Sequence, residues 1–167
     1  MTIENTTENK YPRQRKKKYI KKTLMNKSEI EFFEKMKNGL KGLYVFPQVS
    51  MNQVLNVEQQ KDYKDRIPFW SKIIDFVVCT PTCQIIAMVE LDGPSHDTPE
   101  KKNTDNERDA MLEEAGYIVI RYDWRKEITE AQLNKDFKRI IKAWNVIQLQ
   151  EQVENDKHKI MRMLEKD

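Results

Sequence analysis

The stretch Lys72-Ile-Ile-Asp-Phe-Val-Val-Cys79, Thr80-Pro81-Thr82, Gln84-Ile-Ile-Ala-Met-Val-Glu-Leu-Asp92 decides how the chain is read. Both apolar runs are β-branched and short, so each reads as a strand. Pro81 cannot continue a central ladder, and Thr80–Thr82 reads as a tight turn between them. The two strands therefore pair as an antiparallel hairpin. Gly93-Pro94 ends the second strand sharply. Inside this apolar hairpin stand three carboxylates, Asp75, Glu90 and Asp92.

Working outward, Ser28 with Glu31 has the form of a capping box. Ile30, Phe33, Met36 and Leu40 follow at helical spacing, widened by Phe32, until Gly39 and Gly42 break the helix. Leu43–Phe46 reads as a strand ending around Pro47-Gln48-Val49, and residues 51–70 as a short helix plus a connection. Residues 95–103 read as a polar loop, followed by a helix capped at Thr104 or Asp105 and ended by a left-handed Gly116. Tyr117–Tyr122 is a further strand. From about Thr129 a long helix carries Leu133, Phe137, Ile140, Ile141, Trp144 and Ile147 in phase. It extends beyond residue 150 with thinner apolar spacing, too irregular there to read as a coiled coil. The order α-β-β-β-α-β-α predicts an α/β (α+β) fold, a mixed sheet flanked by helices.

Charge divides the chain. Residues 1–28 carry nine Lys/Arg against two acids, a net of +7, so the remainder of a +3 chain sums to −4. Residues 1–27 read as a basic, disordered arm in which Lys16, Lys17 and Lys18 could meet phosphate and Tyr11 or Tyr19 could stack. Residues 28–128 form the core and 129–167 a helical extension able to recruit a second copy or a partner subunit. No run is apolar for the roughly 20 residues a bilayer crossing needs, and the start lacks a secretory apolar block. A cytoplasmic protein is the expectation. Cys79 and Cys83 lack further nearby ligands, so they read as small residues flanking a turn rather than as a zinc site.

Glu90 and Asp92, two apart, share one face of their strand. Counting through a turn centred on Pro81 sets Asp75 across from residues 87–88, diagonal to Glu90. Clustered carboxylates repel unless a cation neutralises them, and hard oxygen donors suit Mg²⁺ or Mn²⁺. The alternative is that they are strand-end acids facing water. Arg108-Asp109 reads as an exposed helical pair, His158 as a surface residue, and Trp70 and Trp124 as core or edge packing, with stacking on bases the alternative.

Ile74-Asp75-Phe76, Val89-Glu90-Leu91-Asp92-Gly93 with His96, Arg108-Asp109, and Ala115-Gly116-Tyr-Ile-Val-Ile-Arg121 together resemble one nuclease family. It is the branch of the PD-(D/E)XK superfamily related to very-short-patch repair endonucleases and to uncharacterised restriction-endonuclease-like domains of bacteria and their mobile elements. The resemblance covers about residues 28–125 and implies an αβββαβ core. It implies that Asp75 bridges metal and scissile phosphate, that Glu90 is the second-strand acid, and that Asp92 stands where the standard motif has lysine. It also implies that His96 acts on water or the leaving group and that Glu29 helps to hold metal. Gln48 becomes a candidate for contact with nucleic acid, and Arg121 for contact with phosphate or for tying the sheet. The implied activity is Mg²⁺-dependent endonucleolytic hydrolysis, of DNA by preference, in a repair, restriction or defence setting. A rival expectation is a catalytically inactive module of the same fold that binds nucleic acid or a partner. Residues 51–70 and 94–104 are the segments expected to meet the nucleic acid.

Overall fold

A computed structural model describes residues 19–57, 64, 67–93 and 99–164. Lys16–Lys18 and His96 lie outside the described residues. The elements are α1 (Lys27–Gly39), β1 (Tyr44–Ser50), a 3-10 turn (Met51–Gln53), α2 (Ile67–Trp70), β2 (Ile73–Cys79), β3 (Ile85–Asp92), α3 (Pro99–Glu114), β4 (Val119–Asp123) and α4 (Glu130–Leu164). The sheet runs β1-β2-β3-β4. Its first two pairings are antiparallel and the β3–β4 pairing is parallel, with α3 as the crossover. The expected mixed sheet flanked by helices, with a long C-terminal helix, is what the chain forms.

Alternation along the strands sorts side chains into two layers. Phe76, Val78, Ala87, Val89 and Leu91 face α1 and α4, packing on Phe32, Met36, Leu133 and Phe137. Val77, Cys79 and Met88 face the other way, onto Leu112 of α3 and onto Met51 and Phe69. Gly39 lets α1 and α4 touch. A Cβ there would lie 2.9 Å from the Glu130 carbonyl oxygen, and Asn134 Nδ2 donates to the Gly39 carbonyl at 3.0 Å.

Three local expectations are corrected. The α1 cap is Asn26, not Ser28. The Asn26 side chain accepts from the Glu29 N–H at 3.0 Å, and Glu29 Oε2 accepts from the Asn26 N–H at 2.7 Å, a reciprocal box two residues earlier. Helix α3 begins at Pro99 rather than at Thr104 or Asp105, so most of the expected polar loop is helical. Proline with φ already fixed suits the first helical position, and Glu100, Lys101 and Lys102 are good helix formers. The hairpin turn spans Thr80–Gln84, with Cys83 in the left-handed region at φ 61°. The two turn residues beyond Thr82, with a bulge between Val78 and Cys79, shift the register from the one counted through Pro81. Gly116, at φ 85°, ends α3 as expected: Tyr117 N–H donates to the Leu112 carbonyl and Gly116 N–H to that of Glu113. Trp70 and Trp124 are both exposed rather than in the core, with Trp124 lying against Gly93.

Candidate functional site

The β2–β3 partners run from Val78↔Ala87 to Phe76↔Val89, so the next step sets Asp75 directly opposite Glu90 rather than diagonal to it. On the far side of β3, Glu90 pairs with Arg121 of β4. On the near side, Pro47↔Phe76 and Val49↔Ile74 flank Gln48, which falls in register with Asp75. One row across the sheet is therefore Gln48, Asp75, Glu90, Arg121, with Asp92 one step along the Glu90 face. Four residues singled out from separate segments of the sequence meet on one line. Gln48 also has φ 54°. A glutamine in the left-handed region of a strand is locally strained, a feature that concentrates at functional sites.

Helix α3 covers this row, and it brings two residues that sequence reasoning placed on the surface. Arg108 is buried at 8% exposure, and its Nη2 lies 3.0 Å from Glu90 Oε2 as an ion pair. Asp109 Oδ2 accepts from Arg121 Nε at 2.8 Å, and Arg121 Nη1 donates to Asp92 Oδ1. The exposed-pair reading of Arg108-Asp109 is thus overturned. The missed signal was spacing: Arg108, Met111, Leu112 and Ala115 form one stripe at i, i+3, i+4, i+7, and Leu112 is in the core. Arg121 ties β4 to β3 and to α3 through two carboxylates.

Electrostatics concentrate on Glu90, which is 2% exposed. Its Oε1 is buried with no hydrogen-bond partner among the described residues. Burial pushes its pKa up from 4.5 to about 8, opposed by Arg108 and assisted by the facing Asp75. Asp75 Oδ2 accepts the Leu91 N–H at 2.9 Å, so its side chain serves a β3 amide where the ladder opens. Four carboxylates (Asp75, Glu90, Asp92, Asp109) face two guanidiniums (Arg108, Arg121), leaving a formal −2 when all are ionised.

That deficit, an orphaned buried carboxylate oxygen and an all-oxygen donor set fit a hard divalent cation. In this structure Glu90 and Asp92 turn toward arginines, and among the described residues no three acidic, histidine or cysteine side chains form a ready metal set. Cation binding would require these ion pairs to rearrange. Glu29 is engaged in the α1 cap, and α1 packs on the opposite layer of the sheet. His158 is on the exposed part of α4.

The fold and the site define an α+β protein with a carboxylate–guanidinium row beneath one crossover helix. Over residues 21–140 the chain matches the family described as "Protein of unknown function (DUF2726)", well over half its length, and it belongs to that family. No curated protein and no solved structure matches the chain significantly. Among the described residues no helix is long and apolar enough to cross a membrane.

Proposed function

We propose that this is a cytoplasmic, metal-dependent nuclease that hydrolyses phosphodiester bonds, by preference in DNA, with Asp75, Glu90 and Asp92 holding Mg²⁺ or Mn²⁺. The observation that carries the reading is Asp75 facing Glu90 across two central strands, with a buried Glu90 oxygen left without a partner among the described residues. Burying such an acid is costly unless it is fully paired, and Arg108 pairs with its other oxygen, Oε2. A bound divalent ion would polarise the phosphate and acidify a coordinated water.

The chain's own residues prepare the rest. Asp75 is held by the Leu91 amide, which fixes its carboxylate at the mouth of the hairpin. Arg108 and Arg121 keep the carboxylates oriented from α3 and β4. Because Asp92 stands where the resembled motif has lysine, positive charge near a phosphate would come from these guanidiniums, with Arg121 the more exposed of the two. Gln48, in the same row, would meet the substrate backbone. His96 would act on water or on the leaving oxygen; Glu29, in the α1 cap on the opposite layer of the sheet, is not positioned to assist with metal.

A second reading has an observation in its favour. Pairing of Glu90 and Asp92 with arginines neutralises them without metal, as a catalytically inactive nucleic-acid- or partner-binding module would need. The two readings separate in one assay: cleavage of supercoiled plasmid, single-stranded DNA and RNA with Mg²⁺, Mn²⁺ or EDTA. Metal-dependent cutting by the wild type, lost in Asp75→Asn and Glu90→Gln, is the expected result. Nucleic-acid binding without cutting, unchanged in Asp75→Asn, would replace the nuclease by the binding module.

A further inference from the structure

Helix α4 has two apolar faces. Through Trp144 its apolar residues pack on the sheet and α1, with Leu133 and Phe137 fully buried. Beyond that point Val146, Leu149, Val153, Ile160 and Met163 are each more than half exposed. At 100° per residue this second stripe is centred about 155° around the helix from the first. Glu151, on the first stripe's side, lies 3.8 Å from where a Gly116 Cβ would sit, so the second stripe lies on the other side of the helix, with Leu149 and Asp156 bordering a cavity shared with Gln84 of the hairpin turn. Its spacing is 3, 4, 7, 3, and with Asp156 filling the gap it becomes a continuous 3-4 repeat. The irregularity seen in the sequence is thus one polar residue in an a/d seam. The family match ends at residue 140, before this stripe starts. A lone helix of this length is marginal in water without packing.

We propose that the outer half of α4 pairs antiparallel with the same segment of a second copy of this chain. Charge selects both the occupant and the direction. Residues 145–155 carry Glu151 and Glu154 and no Lys or Arg, whereas residues 157–163 carry Lys157, Lys159 and Arg162 and no acid. A parallel pair sets like blocks side by side. An antiparallel pair centred between Glu154 and Asn155 sets each acidic block beside a basic one. The same alignment places Val146 over Met163, Leu149 over Ile160 and Val153 over Asp156 of the second copy, with every seam position matched. It also separates the two Asp156 carboxylates, which a parallel pair would bring into one layer, where like charges repel.

Sedimentation equilibrium of the full chain should show a reversible dimer in the micromolar range. Ile160→Glu, which lies outside the folded core, should weaken it roughly a hundredfold by placing an unpaired charge in the seam. Asp156→Leu should tighten it roughly tenfold. Circular dichroism and an unchanged melting temperature of the core would show that these variants fold. Direction is read in a Cys83→Ser background. A mixture of Leu149→Cys and Ile160→Cys chains should cross-link to each other, while Leu149→Cys alone should not. A monomer at high micromolar concentration, or a dimer indifferent to Ile160→Glu, overturns the pairing. Self-cross-linking of Leu149→Cys overturns its direction. None of these readouts depends on metal or nuclease activity.

Discussion

Replacing Glu90 by glutamine should stabilise the metal-free chain at alkaline pH and leave it nearly unchanged at acid pH. The native carboxyl has its pKa raised from 4.5 to about 8 because burial disfavours the charged form more than Arg108 favours it. Between these values the unfolded chain has lost this proton and the native chain keeps it. The native state then binds more protons, so stability falls as pH rises through the window. The interval spans about three and a half pH units; at about 1.36 kcal/mol for each, the full penalty approaches about 5 kcal/mol above pH 8 and about 3 kcal/mol at pH 7. Against a total stability of roughly 5–15 kcal/mol, that is readily measured. Glutamine mimics the protonated acid in shape and carries no titrating proton. Urea unfolding of wild type and Glu90→Gln in EDTA, from pH 4.5 to 9, should give curves that converge at the acid end and separate steadily to pH 8. If the wild type instead gained stability on its glutamine variant as pH rose, Glu90 would be ionised and governed by Arg108, and the reasoning would fail.

Removing the other half of that pair gives a related signature. Arg108→Met removes the group that lowers the Glu90 pKa, so Glu90 should keep its proton to higher pH, and the cost of the substitution should grow as pH rises above 8 and be smaller near pH 5; chemical denaturation at pH 5 and pH 9 measures the difference. Asn26→Ala should cost about 1 kcal/mol through loss of the α1 cap, whereas Ser28→Ala should be close to neutral, and thermal melts of the two variants distinguish the caps. Gly39→Ala should destabilise by about 1–3 kcal/mol, because its Cβ would meet a backbone oxygen of α4 at 2.9 Å rather than a movable side chain; a melting temperature no lower than wild type would contradict it.

The strands were legible because their residues announce them locally. Ile73–Cys79 and Ile85–Asp92 are β-branched runs bounded by a proline turn and a glycine, and each strand lies within a residue or two of its expected bounds. The left-handed Gly116 and the phase of α4 were legible for the same reason. What was not legible depended on counting or on partners. The register of Asp75 turned on two extra loop residues, Cys83 (at positive φ) and Gln84, and on the bulge after Val78, where residue type gives little warning. The start of α3 was hidden because Pro99–Thr104 is polar and carries no apolar stripe to mark a helix. Arg108 was misplaced because a charged residue on a polar helix is usually solvated, and only the sheet beneath it supplies the acid that permits burial.

That last point bears on how the site is built. A row of Gln48, Asp75, Glu90 and Arg121 requires the strand order β1-β2-β3-β4, since each residue comes from a different strand. Sequence spacing alone brings together Glu90 and Asp92; the two antiparallel pairings bring Gln48 and Asp75, and the parallel crossover brings Arg121. The same crossover necessarily lays α3 over the row, which is why Arg108 and Asp109 arrive with it. The arginines and the carboxylates are therefore parts of one topological unit, β3–α3–β4. Any ligand that reaches Glu90 must contend with Arg108, and any that reaches Asp92 must contend with Arg121. In the nuclease reading this makes the guanidiniums placeholders that keep an over-acidic sheet folded until a cation arrives. Loss of either arginine should then strain the metal-free fold more than the metal-bound one, so Mg²⁺ should raise the melting temperature of Arg108→Met more than that of the wild type.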